Sequence, residues 1–237
     1  MTKLYRKSPL IFALVWIIVY VVGVSAADKL SDQLGHTKIV TLLLGIVLTT
    51  VLLVWLQKQG LFRFYGLTKP VIPAKQMLYY WPLAALAAVN LWPVVFDWIT
   101  WDVIPRAGAM IFVAILEEVI FRGLLFKAME KDSRKAAILV SSITFGFGHI
   151  VNLLNGAPVF TTVLQIIYAT AAGFLFTMIF LKTGSILPCI LCHCAVNIVG
   201  TLSFVWRSTE IILMTLALTV ISSVYAWWII KYHPEKS

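Results

Sequence analysis

The sequence predicts an all-α fold, a polytopic transmembrane helical bundle of about eight spans. Three observations carry this. The 237 residues are 61% hydrophobic and only 12% charged, and mean hydropathy is +0.94, whereas a soluble domain is nearer a quarter charged. The apolar residues fall into eight segments, and Lys and Arg alternate between the connections in a way that an odd number of crossings would scramble. The formal net charge of +9 sits in short clusters between apolar runs rather than in one stripe. A membrane surface therefore explains it better than nucleic acid, which is not expected as a partner.

In chain order, the first segment spans about 9 to 27 and follows Lys3, Arg6 and Lys7. Its ending, Val24-Ser25-Ala26-Ala27, resembles a signal-peptide cleavage site, but the run is long enough to span and other spans follow, so a retained helix is expected. The next segments lie near 38 to 57, 77 to 97, 107 to 129, 136 to 151, 160 to 181, 184 to 204 and 209 to 230. Lys58, Arg63, Lys69, Lys75, Lys127, Lys131, Arg134, Lys135, Lys182, Lys231 and Lys236 join the three N-terminal cations on one side, 14 in all. Four, Lys29, Lys38, Arg106 and Arg207, fall on the other. By the positive-inside rule the chain is a multi-pass cell-membrane protein with both termini cytoplasmic.

Segment 136 to 151 is short and polar, so it is expected in the centre of the bundle, shielded by its neighbours. Trp92, Trp98 and Trp101, and Trp227 and Trp228, fit aromatic belts at the two interfaces. Ala169 and Gly173 form a small-xxx-small pair suited to helix packing. Pro70 and Pro73 make the loop between the second and third helices irregular, and its lysines suggest contact with anionic lipid. With no repeat or linker, residues 1 to 237 form a single membrane domain.

The chemistry-bearing residues lie inside the apolar segments. Glu117, Glu118 and Arg122 would cost roughly 8 kcal/mol or more near a membrane centre, against about 3 to 7 returned by their apolar neighbours, so they need internal partners. At 100° per residue Glu118 and Arg122 share a face and can pair, while Glu117 points away and is left for chemistry. His149 follows two glycines in Phe145-Gly146-Phe147-Gly148-His149, where another backbone or a substrate can come close. His193 and Asn197 share a helical face. Each alone fits a core hydrogen bond. Together they point to one buried, water-containing site.

These residue types suit amide hydrolysis. Glu117 would act as general base on a water oriented by His149, and His193 with Asn197 would stabilise the oxyanion. The same Glu117, His149 and His193 could instead hold one divalent metal such as zinc, so the cofactor is either none or one such ion. No His-Glu-x-x-His helix is present. Cys189, Cys192 and Cys194 surround His193, and the pattern Cys-x-x-Cys-His matches haem attachment, but its apolar setting favours buried free thiols. The chain lacks a phosphate loop, a Rossmann glycine pattern and a Gly-x-Ser-x-Gly elbow.

The ordered set Glu117-Glu118-x-x-x-Arg122, Phe145-x-x-x-His149 and His193-x-x-x-Asn197 resembles the CPBP family, the CAAX proteases and bacteriocin-processing enzymes also called Abi. The resemblance covers residues 107 to 200 and implies a CPBP-like catalytic core. It implies an intramembrane endopeptidase, glutamate-dependent or metallo-, acting on a prenylated protein, a peptide precursor or another membrane protein. The positions of Glu117 and His149 are those assigned to water activation, and those of His193 and Asn197 to the oxyanion site. Glu118 and Arg122 are the supporting pair. A non-catalytic immunity or scaffold protein of the same fold is the alternative, and a proton or ion pathway through the same residues is a third reading.

Overall fold

A computed structural model describes residues 1–91, 101–202 and 207–232. Its described elements are helical, as the composition predicts. A short α1 (Thr2–Lys7) precedes α2 (Pro9–Gln33), α3 (Ile39–Lys58), α4 (Trp81–Val89), α5 (Val103–Glu117), α6 (Phe126–Glu130), α7 (Arg134–Gly148), α8 (Val151–Leu154), α9 (Val159–Thr183), α10 (Leu187–Leu202) and α11 (Ser208–Tyr232). Between α5 and α6 runs a π-helical segment, Glu118–Leu125. Among the described residues, five stretches are long and apolar enough to cross a membrane: α2, α3, residues 134–154, α9 and α11. α10 is a shorter apolar helix.

Local sequence explains the boundaries. Ser8 caps α2 by accepting from the Ile11 N–H at 3.2 Å, with Pro9 at the first helical position. Ser133 caps α7 in the same way, accepting from Ala136 at 3.3 Å. Gly184 ends α9 in a left-handed conformation, φ 65°, that costs glycine little. Long helices such as α2 are apolar all round, so the inward side is set by size and polarity. Phe12, Trp16 and Tyr20 are buried, whereas Ile11, Ile18 and Val22 are exposed in positions suited to lipid.

Two apolar cores result. Phe12, Trp16, Leu52, Trp55, Leu116 and Ile120 join α2, α3 and the α5–α6 rod. Met77, Leu86, Phe176, Cys189, Leu218 and Tyr225 join α4, α9, α10 and α11. The centre of the bundle is not segment 136 to 151, as the sequence suggests, but the π segment, whose eight residues are all buried. α7 instead keeps an apolar outer face of Leu139, Ile143 and Phe147 and turns Ser141, Ser142, Phe145 and Gly146 inward. Its polar residues need one shielded face, not two. Ser141 donates to the carbonyl of Phe121 in the π segment at 2.8 Å, and Ser142 and Thr144 return hydrogen bonds to their own helix.

The cation-rich connections gather at one end. Tyr65 donates to Tyr5 at 3.0 Å, Val71 N–H to Thr183 at 2.9 Å, and Ile186 N–H to Gly66 at 2.9 Å. These contacts bring together the N-terminus, the α3–α4 loop and the α9–α10 turn. Trp101 and Trp227 are exposed, whereas Trp228 packs on Tyr225 with ring centroids 5.8 Å apart. Trp92 and Trp98 lie outside the described residues.

Close approach of α7 and α9 depends on Gly146. A Cβ there would lie 2.0 Å from Thr170 Oγ1 and 2.9 Å from the Ile166 carbonyl, while one at Gly148 would meet nothing within 4 Å. Gly146→Ala is expected to destabilise the protein by about 1 to 3 kcal/mol and Gly148→Ala by less than about 0.5 kcal/mol. Thermal melting of the two purified variants in one detergent checks the contrast.

Candidate active site

The sequence motifs meet at the seam between the two cores. Glu117, at the end of α5, and Glu118, the first residue of the π segment, are both buried, as is Arg122. Glu118 Oε1 accepts from Arg122 Nη1 at 3.1 Å, the pairing their spacing predicts. The guanidinium carbon lies 3.9 Å from the centroid of Phe145 and 5.5 Å from that of Phe176, so aromatic faces take part of the charge. Gly173 makes room for this. A Cβ there would lie 3.0 Å from Arg122 Nη2 and 3.1 Å from Phe145 Cδ1, so the small pair Ala169 and Gly173 admits a cation and a ring between helices.

His193, carried by α10, bridges the two glutamates. Its Nδ1 donates to Glu118 Oε1 at 2.9 Å, which leaves Nε2 facing Glu117 Oε2 across 3.5 Å. Arg122, Glu118 and His193 therefore form a chain in which a buried cation fixes a carboxylate and the carboxylate fixes an imidazole. Phe145 meets the rings of His193 and His149 edge-on at 5.7 and 5.8 Å. One α7 side chain thus touches three of the polar residues.

Glu117, His149, His193 and Asn197 line one cavity of about 270 Å³. His149 sits where α7 ends, and Asn197 lies one turn beyond His193 with its amide donating to the Met110 carbonyl at 3.3 Å. A second, narrower and more apolar cavity, about 70 Å³, shares Phe145, His149, His193 and Asn197 and extends between α4, α9 and α11. The larger cavity runs out past Ser25, Asp28, Lys38 and Asn155 at the α2–α3 and α8–α9 turns, the end opposite the cation-rich connections.

Sequence reasoning missed three lining residues. Tyr20, from the first span, donates its hydroxyl to Glu117 Oε1 at 2.5 Å. Asn152 donates to Gln165 at 2.9 Å on the cavity wall. Tyr20 carries no sequence signal, since tyrosine is common in apolar helices. Gln165 does carry one, being an uncharged but strongly polar residue within an apolar run.

Among the described residues, no group of three His, Cys, Asp or Glu side chains is disposed to hold a metal ion. His193 commits Nδ1 to Glu118 and Glu117 commits one oxygen to Tyr20, which leaves His193 Nε2 and Glu117 Oε2 turned towards each other. Cys189, Cys192 and Cys194 are free thiols, the first two buried.

Residues 98–199 match the family model described as type II CAAX prenyl endopeptidase Rce1-like. This agrees with the CPBP resemblance of the motifs and supports a CAAX-type membrane protease. No curated protein and no solved structure matches the chain.

Removing one partner of the buried pair strands the other charge. Arg122→Ala is expected to destabilise the protein by about 3 to 5 kcal/mol, and Glu118→Leu combined with Arg122→Met to recover part of the loss. Denaturation of the single and double variants in detergent measures both.

Proposed function

We propose that the chain is an intramembrane endopeptidase in which Glu117 activates water and the His193–Asn197 face holds the oxyanion. The observation that carries this reading is the shared cavity, which gathers a carboxylate, two imidazoles and an amide from three helices remote in sequence. Tyr20 and the His193 edge hold Glu117 on both of its oxygens, so its position is fixed before substrate arrives.

In the proposed reaction, Glu117 takes a proton from a water that His149 helps to orient, and the water oxygen bonds to the substrate carbonyl carbon. The carbonyl electrons move onto oxygen. His193, as an imidazolium donating from Nδ1 to Glu118 and from Nε2 to the oxyanion, and the Asn197 amide stabilise that charge. When the tetrahedral intermediate collapses, the C–N bond breaks and the proton held by Glu117 passes to the departing amine. The narrower apolar cavity beside His149 and His193 suits an aliphatic group next to the scissile bond, a lipid chain or a hydrophobic side chain.

Orientation bears on the substrate. With the cation-rich end cytoplasmic, the cavity mouth at Asp28, Lys38 and Asn155 faces away from the cytoplasm. That direction suits an exported precursor or an outward-facing segment of a membrane protein better than a cytosolic prenylated tail.

Glu117→Gln is expected to lower kcat by about 10² to 10⁴-fold with melting unchanged. The assay would use proteoliposomes supplied with a farnesylated Cys-tailed peptide or an apolar precursor peptide. Undiminished cleavage by folded His149→Ala and His193→Ala variants would overturn the reading, whereas absence of cleavage by the unaltered chain, with biological activity kept in the folded alanine variants, would favour a non-catalytic immunity or scaffold role. In a background lacking the native cysteines, Asn155→Cys is expected to react with an impermeant maleimide in intact cells, and Lys69→Cys only after permeabilisation. The reverse pattern would place the cavity mouth on the cytoplasmic side.

A further inference from the structure

A further cavity lies at the opposite end of the bundle and takes no part in the hydrolytic site. It encloses about 390 Å³ where α6, α7 and α9 meet the α3–α4 loop. Arg63, Lys127, Arg134 and Lys182 line it against a single acid, Glu130. Glu130 holds Lys127 at 2.8 Å and the Arg134 Nε at 3.3 Å, so one carboxylate is shared by two cations. Arg63 and Lys182 have no acidic partner among the described residues. The lining therefore carries a surplus of positive charge around an open space.

The floor is aromatic. Lys127 Nζ lies 5.2, 5.5 and 6.0 Å from the ring centroids of Phe180, Phe64 and Phe126. These rings hold the ammonium in a defined place between helix ends. Phe64 itself is half exposed at the rim. A cationic cup with a fixed lysine, two unpaired basic groups and an apolar lip at the depth where helices end matches a phosphate ester attached to an apolar chain.

We infer that this cup binds the headgroup phosphate of an anionic phospholipid from the leaflet at the cation-rich end. A free phosphate anion shares the chemistry, and the two sources separate experimentally. The purified full chain in a zwitterionic detergent is titrated in parallel with phosphatidylglycerol, phosphatidylcholine and inorganic phosphate. Bound ligand is counted by native mass spectrometry and stability followed by melting.

Phosphatidylglycerol is expected to bind and raise Tm, with phosphatidylcholine at least tenfold weaker. Arg63→Gln combined with Lys182→Gln is expected to weaken phosphatidylglycerol roughly tenfold or more. Neither side chain has an acidic partner among the described residues, so the fold is expected to be kept, which melting checks, and Lys29→Gln at the other end serves as control. Inorganic phosphate giving the same Tm rise would assign the cup to a free anion. Equal binding of the two lipids, or undiminished phosphatidylglycerol binding by the double variant, would overturn the proposal.

Discussion

The fold is organised around the burial of a guanidinium. Arg122 lies in the middle of an apolar molecule with no exposed surface, and neither lipid nor a hydrophobic core can solvate it. Every nearby element supplies part of the missing solvation. The π segment brings Glu118 to it, α7 lays Phe145 against it, and α9 retreats to a glycine to let it in. Since Glu118 also holds His193, a fully buried cation decides where an imidazole on another helix points. Electrostatic necessity at 122 becomes geometric precision at 193.

How much of this was written in the sequence depends on how local each signal was. Glu118 and Arg122 are four residues apart on one helix, and their pairing followed from helical geometry alone. His149 and His193 announced themselves because an ionisable group in an apolar run needs a partner, although nothing local says which one. Tyr20 was invisible. Its role exists only because α2 packs on the π segment 97 residues downstream, and a tyrosine in a first span looks the same whether it meets lipid or a carboxylate. Segment 136 to 151 lies off the centre for a related reason. Polarity averages over a segment, whereas burial acts on faces, and one inward face suffices for Ser141, Ser142 and Gly146.

The two cavities divide the molecule's charge between its ends. The one that holds Glu117 and His193 contains few cations and opens where lysines and arginines are scarce, while the other is built from cations at the crowded end. The uneven spread of Lys and Arg along the chain thus reappears in the structure as two ends of different charge.

The wide turn at Glu118–Leu125 has one more consequence. A π turn takes up one more residue per hydrogen-bonded loop than an α turn, so it resets the angular phase between α5 and α6. Upstream residues answer to α3 and α10, downstream ones to α7 and the loop after α3, and neither set constrains the rotation of the other. Losing a single residue within that stretch would turn the guanidinium by about 100° away from its aromatic bracket of Phe145 and Phe176.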